Sequence, residues 1–568
     1  METGQKMDGP VASADGDPSS DPSPQAAAAE QQLLPKVVDI AKAGDLILDV
    51  TFENSKATVK AARKQQASSK TSAAGGHQSS APGAGGRAPK TKLRLGFRVE
   101  AGVLRKQSQY FDRLLSDMRF QEAKTITAAL EALTLRNVKP ADADVGDLPW
   151  IQVIDDDDAT HYAYRDKVFA DLLRILHGKE TAASSSAATS VPAPATAPAA
   201  TASKTAAPAA PQTPLVTLDF VTALAVLADR FDCAASVAKS LKSPGGLKFK
   251  WPLTQRKQPL SGNGGGEEGK MSRQTESVLR QKILVSYLLD QPPRFLAATR
   301  ELIMNGSCKW SAFPDPNADA DEEAWWYLQD ELEQELQYRR ECILNTLASI
   351  PRHFLALYSS RTRQCKLGYD TSAACDSYQL GEMFKFFVNK NLLFLVDFSP
   401  GSLDRIADTS LMPVEGILAA LKQVPSYQID THHRNCGLRT RMLPVLEFVT
   451  ALLSANSIPV ARAAWKQSQQ ATAWFSQAKS AAAAEEKRLK FDSSSDGDDG
   501  GDGSSPPGTF RFTRTVASDP RLRFEHALGA DQFARDVFTA PAWNWTADQD
   551  APPIPSGFGR TPNLRMMY

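Results

Sequence analysis

The chain has 568 residues, room for two or three domains with sizeable cores, and its 65 Lys and Arg are matched by 65 Asp and Glu. That balance leaves no global field to draw nucleic acid or an anionic membrane onto the surface. Six cysteines (Cys233, Cys308, Cys342, Cys365, Cys375 and Cys436) are too few for a disulfide scaffold of this length, and the most apolar run, residues 383–398, is cut by Lys385 and Lys390 and cannot span a bilayer. Residues 1–24 are acidic and polar without the apolar stretch of a secretory signal. The expectation is a soluble intracellular protein of the cytoplasm or nucleus, with reduced thiols.

Residues 1–30 read as a disordered Ser/Pro/Ala/Asp tail, and residues 32–43, with Leu33, Leu34, Val37, Val38 and Ile40, either as a short helix or as a lead-in that packs on its own domain. Residues 44–52 and 93–99 have the apolar content of strands. The second runs into a helix over residues 101–116, where Val103, Leu104, Phe111, Leu114 and Leu115 keep helical spacing. Residues 61–89, rich in Ala, Ser, Gly, Gln and Lys, read as a disordered insertion between the two strands. Either Thr134–Val138 or residues 150–154 would supply a further strand, closed by the solvated acidic turn Asp155 to Asp158. Helices follow over residues 163–177 and, beyond an Ala/Ser/Thr/Pro insertion at residues 180–214, over residues 218–231 and 234–241. Neither half has elements enough to close a core, so residues 36–242 are expected to form one α+β domain carrying two insertions.

Several short motifs occur in order along this block: Gly44-Asp45, Phe97-Arg98-Val99, Leu104, Ser108, Phe111, Leu114-Leu115, Met118 to Ala123, the helix ending Ile175-Leu176-His177-Gly178, and Leu224-Ala225-Val226-Leu227-Ala228-Asp229-Arg230-Phe231-Asp232-Cys233. Together they resemble a BTB/POZ domain. The departures are Gln107, where a small residue is usual, and the size of the insertions.

Residues 243–270 read as a Gly-rich linker and residues 271–482 as a mainly α-helical domain. Trp325-Trp326-Tyr327 would open a helix stopped by Pro351, with Glu331, Glu335, Arg339 and Arg340 as solvated i,i+4 partners. An acidic linker at residues 483–508 and a weakly structured segment at residues 509–568 complete the chain. Gly368-Tyr369-Asp370, Cys375 to Glu382 and His433-Arg434-Asn435-Cys436-Gly437-Leu438 resemble the C-terminal region of a group of filamentous-fungal BTB proteins, which are defined by architecture rather than by an activity.

Cys365 and Cys375 have nine residues between them in a turn-rich segment ahead of a helix at residues 379–390. His432, His433 and Cys436 fall together before a second helix, residues 443–453. Three thiols and an imidazole match the donor set of a tetrahedral structural zinc, so Cys365, Cys375, His433 and Cys436 are the candidate metal ligands. The competing readings are small buried cysteines beside surface histidines, or a Cys436/His433 nucleophilic pair, for which no orienting group is visible. Cys233, Cys308 and Cys342 sit in apolar helical patterns and read as core. No catalytic residues and no other cofactor are assigned.

The BTB/POZ resemblance implies a non-enzymatic interaction scaffold that binds a second copy of itself or another protein, including a cullin in the manner of ubiquitin-ligase substrate adaptors. The alternative is a nuclear regulator contacting DNA or chromatin, suggested by the basic run Arg87, Lys90, Lys92, Arg94, Arg98, Arg105 and Lys106. That run lacks interleaved aromatics, and the sequence has no zinc-finger spacing, which argues against nucleic acid.

Overall fold

The structure, a computed structural model, describes residues 35–72, 89–181, 216–243, 246–254, 271–311, 328, 331–365, 367, 372–396, 412–433, 436–476, 508–517 and 530–547. It is a mixed α/β architecture with mostly helical content. Among the described residues no helix is long and apolar enough to cross a membrane.

The N-terminal unit is built on a four-stranded sheet of order β1-β3-β2-β4, with β1 Val37–Asp39, β2 Leu46–Glu53, β3 Lys92–Val99 and β4 Trp150–Asp155. β2 and β3 pair antiparallel from Leu46 opposite Val99 to Glu53 opposite Lys92, while β4 runs parallel to β2 and β1 parallel to β3. Side chains alternate across a strand. Leu46, Leu48, Val50 and Phe52 therefore enter the main core, and Ile47 faces a smaller one with Leu133, Ala143 and Leu148. Of the two readings of residues 32–43 the helix gives way to β1: Val37 and Val38 are β-branched, and Pro35 inside that span interrupts a helix.

Three further expectations change in this unit. Helix α1, Lys56–Ser72, occupies the start of the expected insertion, because Ala, Lys, Arg and Gln are strong helix formers; residues 73–88 lie outside the described residues. The single helix over 101–116 is two, α2 Ala101–Gln107 and α3 Gln109–Ser116, divided at Ser108, whose extended backbone and side chain cap α3 by accepting from Phe111 N. Thr134 and Leu135 end helix α4, Gln121–Leu135, so the further strand is β4.

Helices α5 Arg165–Leu176, α6 Leu218–Arg230 and α7 Ala234–Lys242 cover the sheet. Phe169 is 5.4 Å from Phe97 and 5.5 Å from Phe231, ring centre to ring centre, and Phe231 stacks on Phe111 at 5.3 Å. Segments on both sides of residues 182–215, which lie outside the described residues, thus share one core. The acidic turn is not solvated throughout. Asp155 is buried against Arg165 at 2.6 Å, and Asp157 is buried and accepts from Ser55 N, because β2 and β4 end together and leave backbone groups that need partners.

The expected linker is structured at its start: Leu247 is buried and Phe249 bridges to Val216, while residues 255–270 lie outside the described residues. Helices α8 Arg273–Leu288 and α9 Pro292–Asn305 then pack as a hairpin, and Gln281 on α8 donates to Asp219 on α6 at 3.0 Å. The buried core runs without a break from the sheet unit into the helical one.

The helical unit is centred on α10, Leu332–Ser359, surrounded by α11 Ser372–Asn389, α12 Val414–Leu421, α13 Leu438–Leu453, α14 Arg462–Gln467 and α15 Gln469–Thr472. Pro351 does not stop α10: burial of Phe354 and Tyr358 on the next turns offsets the lost backbone hydrogen bond. Residues 325–327 lie outside the described residues. Glu335, Arg339 and Arg340 are buried, not solvated, because Arg339 donates to the carbonyls of Ser457, Ile458 and Pro459, and Arg340 to those of Ile303 and Met304.

Part of the C-terminal segment is ordered against this unit. β5 Thr509–Arg511 and β6 Ala542–Asn544 pair in parallel, joined by α16 Arg514–Ala517 and α17 Ala530–Phe538. The elements are too short to show periodicity, and their aromatics hold them: Phe448 meets Phe510 and Phe512, Trp474 stacks on Phe538, and Trp545 is buried with its indole donating to Ser349. Residues 1–34, 477–507 and 548–568 lie outside the described residues.

Candidate metal centre

Three separate stretches of the helical unit meet beside Tyr358. Cys365 follows the end of α10, Cys375 lies in the first turn of α11 rather than ahead of it, and His433 and Cys436 precede α13, which begins at Leu438. Sequence separation is overcome by a set of polar braces. Asp376, next to Cys375, accepts from the backbone N–H groups of Gln364 (2.7 Å) and Cys365 (2.9 Å). Gln379, one turn on, donates to Tyr427 O at 2.9 Å and accepts from Leu438 N at 3.3 Å. Tyr358 donates to Cys436 O, and Arg441 reaches both the side chain and the carbonyl of Gln364.

The result is a compact donor cluster. The Sγ atoms of Cys365 and Cys375 and a ring nitrogen of His433 lie within 4.8 Å of one another, all three residues being buried. Cys436 Sγ, half-buried, is 3.6 Å from Cys365 Sγ. His433 points Nδ1 at Asp430 Oδ1, 2.7 Å away, and its ring is also in hydrogen-bond reach of the Cys365 side chain. Three of the four residues singled out from sequence therefore form one mutual group, and Cys436 adjoins it through Cys365. His432 is not among them: it is exposed.

The electrostatics separate two chemistries. Burial pushes the Cys375 thiol up to about 12, with the neighbouring thiols adding to the effect, and burial followed by the Cys365 side chain pushes Cys436 to about 11. A nucleophilic cysteine needs the opposite shift. The hydrogen bond to Asp430 raises His433, and the same contact lowers Asp430. Crowded neutral thiols beside a carboxylate-oriented imidazole suit a dication, which reverses the pKa logic by deprotonating the sulfurs it binds.

The positioning residues Asp430, Asp376, Gln379 and Tyr358 do not stand out in the sequence. The three-residue step from Asp430 to His433 is the one pattern that carries a trace of the arrangement. The remaining cysteines lie elsewhere: Cys233 and Cys342 are buried in apolar surroundings, and Cys308 is half-buried with its N–H donating to Glu276. Part of the basic run is paired within the fold, while Arg87 lies outside the described residues. Arg94 pairs with Asp49, Lys92 with Glu53, and Arg98 donates to the carbonyls of Gly44, Pro140 and Ala141.

Comparison of the chain with protein-family models, with curated proteins and with solved structures finds no match.

Proposed function

We propose that this protein is a non-enzymatic interaction scaffold whose N-terminal unit, residues 36–242, is BTB/POZ-like and binds either a second copy of the chain or a cullin. The observation that carries the reading is that the motif residues hold one another. Gly44 lies so close to the end of β3 that an added Cβ would come 2.6 Å from Val99 O. Asp45 accepts from Ala101 N at 2.8 Å and so caps α2, and Arg98 donates to Gly44 O at 3.0 Å. Ser108, between α2 and α3, donates to Phe231 O across 123 positions of chain, inside the Asp-Arg-Phe-Asp-Cys motif. Residues chosen for their likeness to one family thus bond at both ends of α2, which makes that helix a joint.

Next to that joint, Tyr110, Met118 and Phe120 are exposed large apolar side chains on α3 and the turn that follows. Exposed apolar side chains mark contact sites when they cluster, and these three fall within eleven positions of chain; aromatic anchors dominate interface energetics. The test uses the full chain in light scattering and in titration against a purified cullin N-terminal region. A dimer, or a cullin complex, weakened about tenfold or more by Phe120→Glu with unchanged melting temperature, is the expected result. A monomer that does not bind the cullin, or binding indifferent to Phe120→Glu, rejects the proposal.

A further inference from the structure

We propose that Cys365, Cys375, His433 and Cys436 bind one structural zinc ion, which fastens the end of α10, the start of α11 and the entry to α13 into one piece. The site is independent of the scaffold reading and stands whether or not the N-terminal unit binds a partner.

Geometry speaks first. Zinc–sulfur bonds of about 2.3 Å place two sulfurs of a tetrahedron about 3.8 Å apart. The Cys365 and Cys436 Sγ atoms are 3.6 Å apart, near that edge and far from the roughly 2.05 Å of a disulfide. Cys365 Sγ, Cys375 Sγ and a His433 nitrogen lie within 4.8 Å of one another, so three donors share one small volume, and Cys436 adjoins them through its contact with Cys365.

The donor set decides the metal class. Three soft sulfurs and one imidazole exclude the oxygen-seeking Ca²⁺ and Mg²⁺ and favour Zn²⁺. With Cys436 drawn in as the fourth donor, the protein completes a tetrahedron and leaves no position for water or substrate, which is the mark of a structural rather than a catalytic site.

The surroundings are those of a built site. Asp430 takes Nδ1 of His433 at 2.7 Å, fixing the ring so that Nε2 is the nitrogen to coordinate, as carboxylates do behind ligating histidines. Asp376 holds Cys365 against Cys375 through two backbone N–H groups, and Gln379 holds Leu438, just past Cys436, against α11. These braces bond backbone N–H groups rather than the sulfurs.

The experiment measures metal in the full-length chain purified without chelator or a metal-affinity step. Elemental analysis is expected to give about one zinc per chain. Cys375→Ser and Cys436→Ser should each bring it near zero, while Cys342→Ser, in the core of the same unit, should leave it unchanged. Because a ligand variant can fail to fold, a second measurement uses the unaltered chain. Exchange of its metal for Co²⁺ should produce the visible bands of a tetrahedral thiolate site, and chelation should lower the melting temperature. Three results overturn the proposal: zinc-free chain that neither gains Co²⁺ bands nor changes its melting temperature on adding metal, zinc content that survives both ligand substitutions in folded protein, or a Cys365–Cys436 disulfide in the freshly purified chain.

Discussion

The sheet unit and the helical unit solve the same problem, the backbone polar groups left over inside a core, by different means. In the sheet unit the β ladders satisfy most of them, and one buried arginine closes the corner where two strands end. Arg165 there binds Asp155 and donates to the carbonyls of Glu53, Asp155 and Tyr162 and to the Asn54 side chain. Among the described residues the interior of the helical unit carries no β ladder, and helix ends and loops arrive in its core with open carbonyls. Among the described residues two buried arginines, Arg339 and Arg340, answer them, and a third, Arg280, ties buried side chains together. Arg280 is held by Glu276 and Glu333 and donates to Ser307. Arg340 takes the carbonyls at the end of α9 and that of Met412. Arg339, paired with Glu335 at 2.6 Å, takes three consecutive carbonyls after α13 and Thr472 O. A helical core with many crossings therefore buys its order with buried guanidinium forks, whose planar donors can serve several acceptors at once.

The largest effect expected from this contrast is at Arg339. Arg339→Ala leaves Glu335 buried and strips donors from four carbonyls, and removing one partner of a buried pair costs about 3–5 kcal/mol. Glu335 also accepts from Trp474 N and Phe475 N, so the loss should loosen the segment after α15 first. Denaturant unfolding of the full chain gives the cost, and hydrogen exchange gives its location. A loss under about 1 kcal/mol, the scale of a surface ion pair, would break the contrast.

A smaller effect is expected where the sheet unit joins its own distant halves. Ser108→Ala removes the cap of α3 and the 2.5 Å bond to Phe231 O, both buried, for about 1–2 kcal/mol. Ser108→Thr keeps an oxygen for both and should recover part of the loss. Equal destabilisation by Ala and Thr in denaturant unfolding would mean that shape, not hydrogen bonding, holds the joint.

How much of this was legible beforehand follows from what periodicity carries. The strands at 93–99 and 150–154, the helix over 163–177 and the four candidate ligands announced themselves through alternation, helical spacing and rare residue types. Buried charge did not: Glu335 and Arg339 at i,i+4 look the same on a wet face as beneath arriving loops, and only the path of residues 457–459 and 472–475 distinguishes the two. Pro351 and the C-terminal strands were missed for a related reason. Tertiary burial overrides local propensity, and three-residue strands such as β5 and β6 carry no period to read.

The smallest effect is a pH dependence, and it tests whether the joint of the sheet unit relies on a neutral imidazole. His177 ends α5, with Nδ1 at 2.8 Å from Leu173 O and Nε2 accepting from Glu100 N at 3.1 Å. That pattern requires the neutral ring with its proton on Nδ1, since a protonated Nε2 would face an N–H donor. Burial accordingly lowers the His177 pKa, and among the groups around it Lys179 lowers it while Glu100 and Asp45 act the other way. Below the unfolded value of about 6.5 the unfolded chain takes up a proton that the folded chain still refuses. The stabilisation is complete above that value, falls as pH drops below it, and is fully lost once pH has passed the lower folded value. His177→Gln, which offers an amide oxygen in place of Nε2, should flatten the stability profile between pH near 7 and pH near 5 relative to the unaltered chain, as read by melting temperature across buffers. If the two profiles fall in parallel, the ring's charge state has no part in holding α5 against α2.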